Sequence, residues 1–146
     1  MTPETLFDGA PRAFIANVDG ASRGNPGPAA AGWVIRDASD GQVIIEEGLF
    51  LGKETNNRAE YFALLFAVED AMLLGATELT IRSDSELLVR QMLGRYRVKN
   101  RDLKPLFQRV KRLSGYFGAF HVEHVSREDN READKAANQA LNEAGE

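Results

Sequence analysis

Four carboxylates, Asp19, Glu60, Asp84 and Asp134, stand at comparable places along the chain and could together do metal-dependent chemistry. Asp19 follows the alternating stretch Ala13 to Val18, which reads as a strand running into the turn Asp19-Gly20. Glu60 lies near the start of a helix opened by Thr55, a good N-cap residue, and continued to Leu74 without Pro or Gly. Its neighbours at helical spacing, Leu64, Ala67 and Ala71, are apolar, so Glu60 shares the face that packs inward. Asp84 follows a short strand, Glu78 to Arg82, and Asp134 opens a last helix. Taken singly, each acid has an ordinary use as a turn residue, a helix-start charge or a solvated acid. Taken together they gather at the strand ends and helix starts that face one edge of an α/β sheet, where ligands bind. Carboxylates crowded there repel one another and hold their protons unless cations neutralise them. The chain has no cysteine and two histidines, so the donor set is hard oxygen, suited to Mg²⁺ or Mn²⁺. Two such ions roughly 4 Å apart are suited to in-line displacement at a phosphodiester.

The elements that must position these acids follow from pattern. Gly32 to Arg36 and Gln42 to Ile45 read as strands flanking Asp40-Gly41, a hairpin signal, so the first three strands form an antiparallel meander. Ser22 to Pro28 has loop composition. The central helix spans 55–74 and Gly75 caps it. After the fourth strand, Leu87 to Leu93 reads as helix, with Ser83 and Glu86 at capping-box spacing. Leu103, Leu106, Phe107, Val110 and Leu113 make a helical stripe over 102–113. Phe120, Val122 and His124 alternate with His121, Glu123 and Val125 in a fifth strand, which places His124 inside that strand as a structural residue. The alanines from Ala133 to Ala144 line one side of the last helix. The order β-β-β-α-β-α-α-β-α requires a five-stranded mixed sheet, three antiparallel strands then two parallel, flanked by helices. Residues 1–12 read as a loose leader and 13–144 as one catalytic domain.

The 146 residues carry a net charge of −4, which hides an asymmetry. Arg95, Arg97, Lys99, Arg101, Lys104, Arg109, Lys111 and Arg112 face a lone acid, Asp102, so this segment holds +7 and the rest of the chain −11. Such segregation is the footprint of a polyanion partner. No apolar run approaches the ~18 residues of a membrane span. The start shows no signal peptide, and the absence of cysteine fits a reducing compartment, so the expected location is the cytoplasm, without a membrane partner.

Four blocks in order then carry a resemblance. Asp19-Gly20-Ala21 with Gly24-Asn25-Pro26-Gly27-Pro28, Thr55-Asn56-Asn57-Arg58-Ala59-Glu60, Ser83-Asp84-Ser85 and Asn130-Arg131-Glu132-Ala133-Asp134 are similar to the signature blocks of type 1 ribonuclease H. The likeness runs over residues 13 to 142. It implies hydrolysis of the RNA strand of an RNA·DNA hybrid, leaving 5′-phosphate and 3′-hydroxyl ends, with two Mg²⁺ per site and Mn²⁺ as substitute. It also implies roles: Asp19 bridging both ions, Asp134 on the ion that activates water, Glu60 and Asp84 on the ion at the leaving oxygen. Asn25, Asn56 and Asn57 match positions that touch the hybrid's minor groove, where an amide can meet the 2′-hydroxyl as donor and acceptor. Thr55 matches a position near a DNA phosphate. Glu86 stands where relatives often carry an uncharged contact residue, and the capping-box use is preferred for it.

The chain departs from the family pattern twice. Many relatives carry a mobile His between the last strand and last helix, whereas Ser126-Arg127-Glu128-Asp129 has none. Arg127 is therefore the candidate for contacting the scissile phosphate or easing product release, although its permanent charge rules out a proton shuttle. The extra helix and basic handle that some relatives insert before Val98-Lys99-Asn100 are missing. Hybrid affinity is then expected to be modest, salt-dependent and carried by Arg95, Arg97, Lys99 and Arg101. A monomer is expected, and duplex RNA is a second candidate substrate. A start Met and the lack of a polymerase portion favour a stand-alone enzyme over a reverse transcriptase's ribonuclease domain. A proofreading-type exonuclease would need an acid at position 21, which is Ala. A silent hybrid-binding module would not need all four acids.

Overall fold

The computed structural model describes residues 11–146, so the leader expected over 1–12 lies outside the described residues except for its last two. Arg12 is tied to the sheet: its amide donates to the Thr77 hydroxyl at 2.8 Å, and its carbonyl accepts from the Thr77 amide at 2.9 Å.

Five strands form one sheet: β1 (Ala13–Ser22), β2 (Gly27–Asp37), β3 (Val43–Glu54), β4 (Glu78–Ser83) and β5 (Ala119–His124), in the order β3-β2-β1-β4-β5. β1, β2 and β3 pair antiparallel, while β4 and β5 join β1 in parallel, as the element order requires. The helices are α1 (Asn56–Leu73), α2 (Glu86–Met92), α3 (Lys104–Ser114) and α4 (Arg131–Glu143), the last preceded by a 3₁₀ turn at Glu128–Asn130. Among the described residues no helix is long and apolar enough to cross a membrane.

Strand alternation divides the interior. Phe14, Ala16 and Val18 join Leu64, Val68, Leu79, Ile81 and Val110 in the main core beneath α1, α2 and α3. The opposite face of the sheet is covered by α4, through Ala137, Ala140 and Leu141 against Ala30. Burying one large aliphatic side chain of this kind contributes roughly 1.5–3 kcal/mol.

Three local expectations are corrected. β1 does not end at Asp19 but runs on to Ser22, because pairing with β2 continues from Asp19–Gly32 to Ser22–Ala29. The loop expected over Ser22 to Pro28 shrinks accordingly to 23–26. The capping residue of α2 is Ser85, whose hydroxyl accepts from the Leu88 amide at 3.2 Å, not Ser83. Ser83 is spent in the sheet, paired with Val18 and His124, and Glu86 instead pairs with Arg90 one turn on.

Candidate active site

Register brings the first two acids together. Val18 pairs with Ser83 in the last rung of the β1–β4 ladder, so Asp19 and Asp84 are the next residues on strands ~4.8 Å apart. Glu60 reaches the same place because Gly20 has no side chain: a Cβ there would collide with the backbone nitrogen of Glu60 and the carbonyl carbon of Ala59. Gly32, the cross-strand partner of Asp19, does the same for α4, since a Cβ at that position would overlap the Ala133 carbonyl and stand 2.6 Å from the Ala137 nitrogen. Two glycines beside Asp19 therefore let α1 and α4 close on it from opposite faces of the sheet.

Oxygens of Asp19, Glu60 and Asp84 all lie within 4.8 Å of one another. Asp134 stands outside this trio on the exposed start of α4, within hydrogen-bonding reach of Asp19. Asn138 donates to the Asp134 carboxylate at 3.1 Å, and the Gly20 amide donates to Asp19 at 3.0 Å.

Burial and mutual repulsion act on these groups together. Asp19, 8% exposed, is pushed up to about 8, first by burial, then by the charges of Asp84 and Asp134 and by its hydrogen bond with Asp134. Glu60 is pushed up to about 7 by burial, with the Ser85 hydroxyl pulling the other way and Asp84 adding a smaller push. Asp84 is raised by burial, while the charges of Arg127 and His124 draw it back. Neither Asp19 nor Glu60 makes a salt bridge among the described residues. Three oxygen donors so close, and so reluctant to ionise together, fit a hard divalent ion.

The expected substrate residues fall into two groups around this edge. Asn25, Thr55, Asn56 and Asn57 adjoin it at the β1–β2 turn and the start of α1. The Asn56 amide donates to the Asn25 side-chain oxygen at 3.1 Å, which leaves the Asn25 NH₂ group facing out as a donor. The buried side-chain oxygen of Asn57 has no partner among the described residues. Thr55 accepts from the Arg58 amide at 3.2 Å as the N-cap of α1, and its hydroxyl proton stays available. Arg95, Arg97, Lys99 and Arg101 lie apart, all exposed, between α2 and α3, and none pairs with a carboxylate among the described residues. Arg58 docks the end of this segment by donating to the Asp102 carbonyl, so Arg101 and Thr55 line one groove.

Arg127 precedes the 3₁₀ turn and is exposed, with its charge felt at Asp84. His124 is not enclosed by its strand. It is the last, exposed residue of β5, and its Nε2 lies 3.3 Å from the Asp84 carbonyl oxygen. Parallel pairing with Ser83 explains this, since it carries His124 to the same edge as the acids.

Sequence reasoning gave no role to Asn17 or Asn130, both buried beside the site. Asn130 lay inside a signature block without a function attached. Asn17 could have been noticed as an amide amid apolar residues on a central strand.

A family model described as "Reverse transcriptase-like" matches residues 17–140. A bifunctional protein of Mycobacterium tuberculosis, Rv2228c, is 42% identical over 132 residues, covering 90% of this chain and 36% of its own length. Ribonuclease HI of Halobacterium salinarum is 43% identical over 129 residues, or 88% of this chain and 64% of that protein. The chain thus spans about a third of the mycobacterial relative and under two thirds of the halobacterial one. The crystal structure of RNase H1 from Halobacterium salinarum superposes with a TM-score of 0.86 at 41% identity, over 90% of this chain and 98% of that one. LC11-RNase H1 in complex with an RNA/DNA hybrid gives 0.85 at 39% identity, over 91% and 99%. With the acids, the sheet order and these relatives in agreement, the chain belongs to the type 1 ribonuclease H family.

Proposed function

We propose that this protein is an endoribonuclease that hydrolyses the RNA strand of RNA·DNA hybrids, leaving 5′-phosphate and 3′-hydroxyl ends. The observation that carries this reading is the trio Asp19, Glu60 and Asp84, with oxygens within 4.8 Å and with no salt bridge to Asp19 or Glu60 among the described residues. Asp19, Glu60, Asp84 and Asp134 would hold two Mg²⁺ ions, or Mn²⁺ in their place. When bound, these ions supply an activated water and charge stabilisation at the leaving 3′ oxygen.

The rest is done by the chain itself. The Asn25 NH₂ group suits a 2′-hydroxyl as acceptor, and Asn57, whose side-chain oxygen is buried and unpartnered among the described residues, lies beside it. Asn56 flanks them on the exposed first residue of α1. Thr55 offers its hydroxyl proton to a DNA phosphate oxygen while its lone pair caps the helix. Arg95, Arg97, Lys99 and Arg101, exposed and without a carboxylate partner among the described residues, would track the backbone of the hybrid. Arg127 lies on the Asp84 side, where a permanent charge can meet the scissile phosphate. The relative LC11-RNase H1 was solved with an RNA/DNA hybrid, which supports the same substrate class here.

The test is a panel of end-labelled RNA·DNA hybrid, duplex RNA, duplex DNA and single strands, each with Mg²⁺, Mn²⁺ or chelator. Internal RNA cuts confined to the hybrid and abolished by chelator are expected. Binding to the hybrid without cleavage under every ion would refute the reading.

A further inference from the structure

Asn17 and Asp19 point to the same face of β1, two residues apart, and α4 covers that face. The Asn17 amide donates to the Asn130 side-chain oxygen at 3.0 Å and to the Asp129 carbonyl at 3.3 Å. In return the Asn130 amide donates to the Val18 carbonyl at 2.9 Å. Asn130 is the capping residue of α4, and Asp134 lies four residues beyond it. Two strand residues advance ~6.6 Å, and one helical turn of four residues advances ~6 Å. The start of α4 and β1 thus share two side-chain contacts, which we call rungs: Asn17 with Asn130 and Asp19 with Asp134.

The rungs differ in kind. The first is two neutral amides, 8% and 1% exposed, satisfying each other and the backbone on both sides. The second joins two carboxyls, Asp19 buried and Asp134 exposed. The amide pair is the buried contact that fixes the start of α4 beside β1, next to the open edge where Asp134 is exposed. A side-chain amide pair in a dry setting is well suited to this, because neither member can be pulled away without orphaning a buried donor or acceptor.

We infer that Asn17, through Asn130, is a positioning residue that sets the placement of Asp134 relative to Asp19 and so the affinity of this acidic site for a divalent ion. The inference rests on the hydrolase reading for its purpose, but its measurement does not need turnover. Outer partners that orient metal ligands typically change metal affinity 10- to 100-fold when removed.

The experiment titrates Mn²⁺ into the full chain by calorimetry, for wild type, Asn17→Leu, Asn17→Ser and Trp33→Phe. Asn17→Leu keeps the volume and deletes both bonds, and Asn17→Ser is a milder change that keeps the chain folded if Leu does not. Trp33→Phe removes a different part-buried bond, the one to Asp70 at 2.8 Å on the far face of the sheet, and measures plain destabilisation. The expected result is ~10-fold weaker Mn²⁺ binding in the Asn17 variants and none of it in Trp33→Phe. Hybrid cleavage by the same variants should recover at high ion concentration with KM for the hybrid within twofold of wild type. Unchanged Mn²⁺ affinity in Asn17→Leu or Asn17→Ser overturns the inference, whatever the melting temperature does. If wild type binds Mn²⁺ more tightly than the Asn17 variants yet cuts no hybrid, the proposed function fails and the positioning role stands. If wild type binds no Mn²⁺, both fail.

Discussion

Replacing Asp19 by Asn should make the ion-free protein more stable while destroying its chemistry. In the folded chain Asp19 is pushed up to about 8 from an ordinary 3.8, so between those values the native state holds a proton that the unfolded chain has released. Stability therefore falls as pH rises across that window, is fully retained below it, and has lost its full increment above about 8. At about 1.4 kcal/mol per unit, the ceiling on this loss is ~5 kcal/mol at pH 8. Water entry and side-chain relaxation around a site at the sheet edge reduce it to ~1–3 kcal/mol. Asn keeps the shape and removes the titration. In chelator at pH 8, Asp19→Asn should melt several degrees above wild type, at ~2–4 °C per kcal/mol for a chain near this size. The gap should close towards pH 4. Adding millimolar Mg²⁺ should raise the wild-type melting temperature and leave the variant unmoved, because an ion that binds only the native site stabilises by mass action. The assay is thermal unfolding followed by circular dichroism over pH 4 to 8, with and without Mg²⁺. A variant that melts at or below wild type in chelator at pH 8 would refute the claim that crowded, buried acids are what the ion relieves.

Further outcomes follow from the same geometry. Gly32→Ala should lower both stability and activity, since the added Cβ meets the backbone of α4 at Ala133 and Ala137; overpacking of this sort costs ~1–3 kcal/mol, read by urea unfolding. An unperturbed midpoint would mean that α4 does not need the close approach. Arg127→Ala should lower kcat more than His124→Ala does, and steady-state kinetics giving the reverse order would hand the role to His124, whose ring already lies at the Asp84 carbonyl. Hybrid binding should weaken with salt at a slope of roughly −3 to −4 in log–log form if Arg95, Arg97, Lys99 and Arg101 each neutralise a phosphate. Each removal should flatten that slope by about 1, and a slope near zero in wild type would dismiss this segment as the docking surface.

Much of the frame could be read from residues alone, and the reasons for the exceptions are physical. Strand ends and helix starts forecast the meeting of Asp19, Glu60 and Asp84, because parallel pairing leaves little choice of edge. Chain periodicity could not forecast that Asp134 sits to one side, since that depends on how α4 lies across β1 and β2. The extension of β1 and β2 through Ser22 and Gly27 was hidden by Gly and Pro, whose loop tendency was overruled by cross-strand pairing. Ser83 and Ser85 both satisfy the local rule for a helix start, and only the sheet decides between them by claiming Ser83. Gly20 and Gly32 matter through contacts with distant backbone that no local pattern encodes. Asn17 is the same kind of case: its partners lie more than a hundred residues away.

If the proposed function is right, divalent ions held by these acids act directly at the scissile phosphate of RNA in a hybrid. A hybrid with one phosphorothioate at a mapped cut site tests it most directly, because sulfur binds Mg²⁺ poorly and Mn²⁺ better. Cleavage at that linkage should collapse in Mg²⁺ and return in Mn²⁺, while neighbouring unmodified sites are cut equally in both. Cleavage at the sulfur-bearing linkage that is the same in Mg²⁺ as at an ordinary phosphate, or that Mn²⁺ fails to restore, would contradict it.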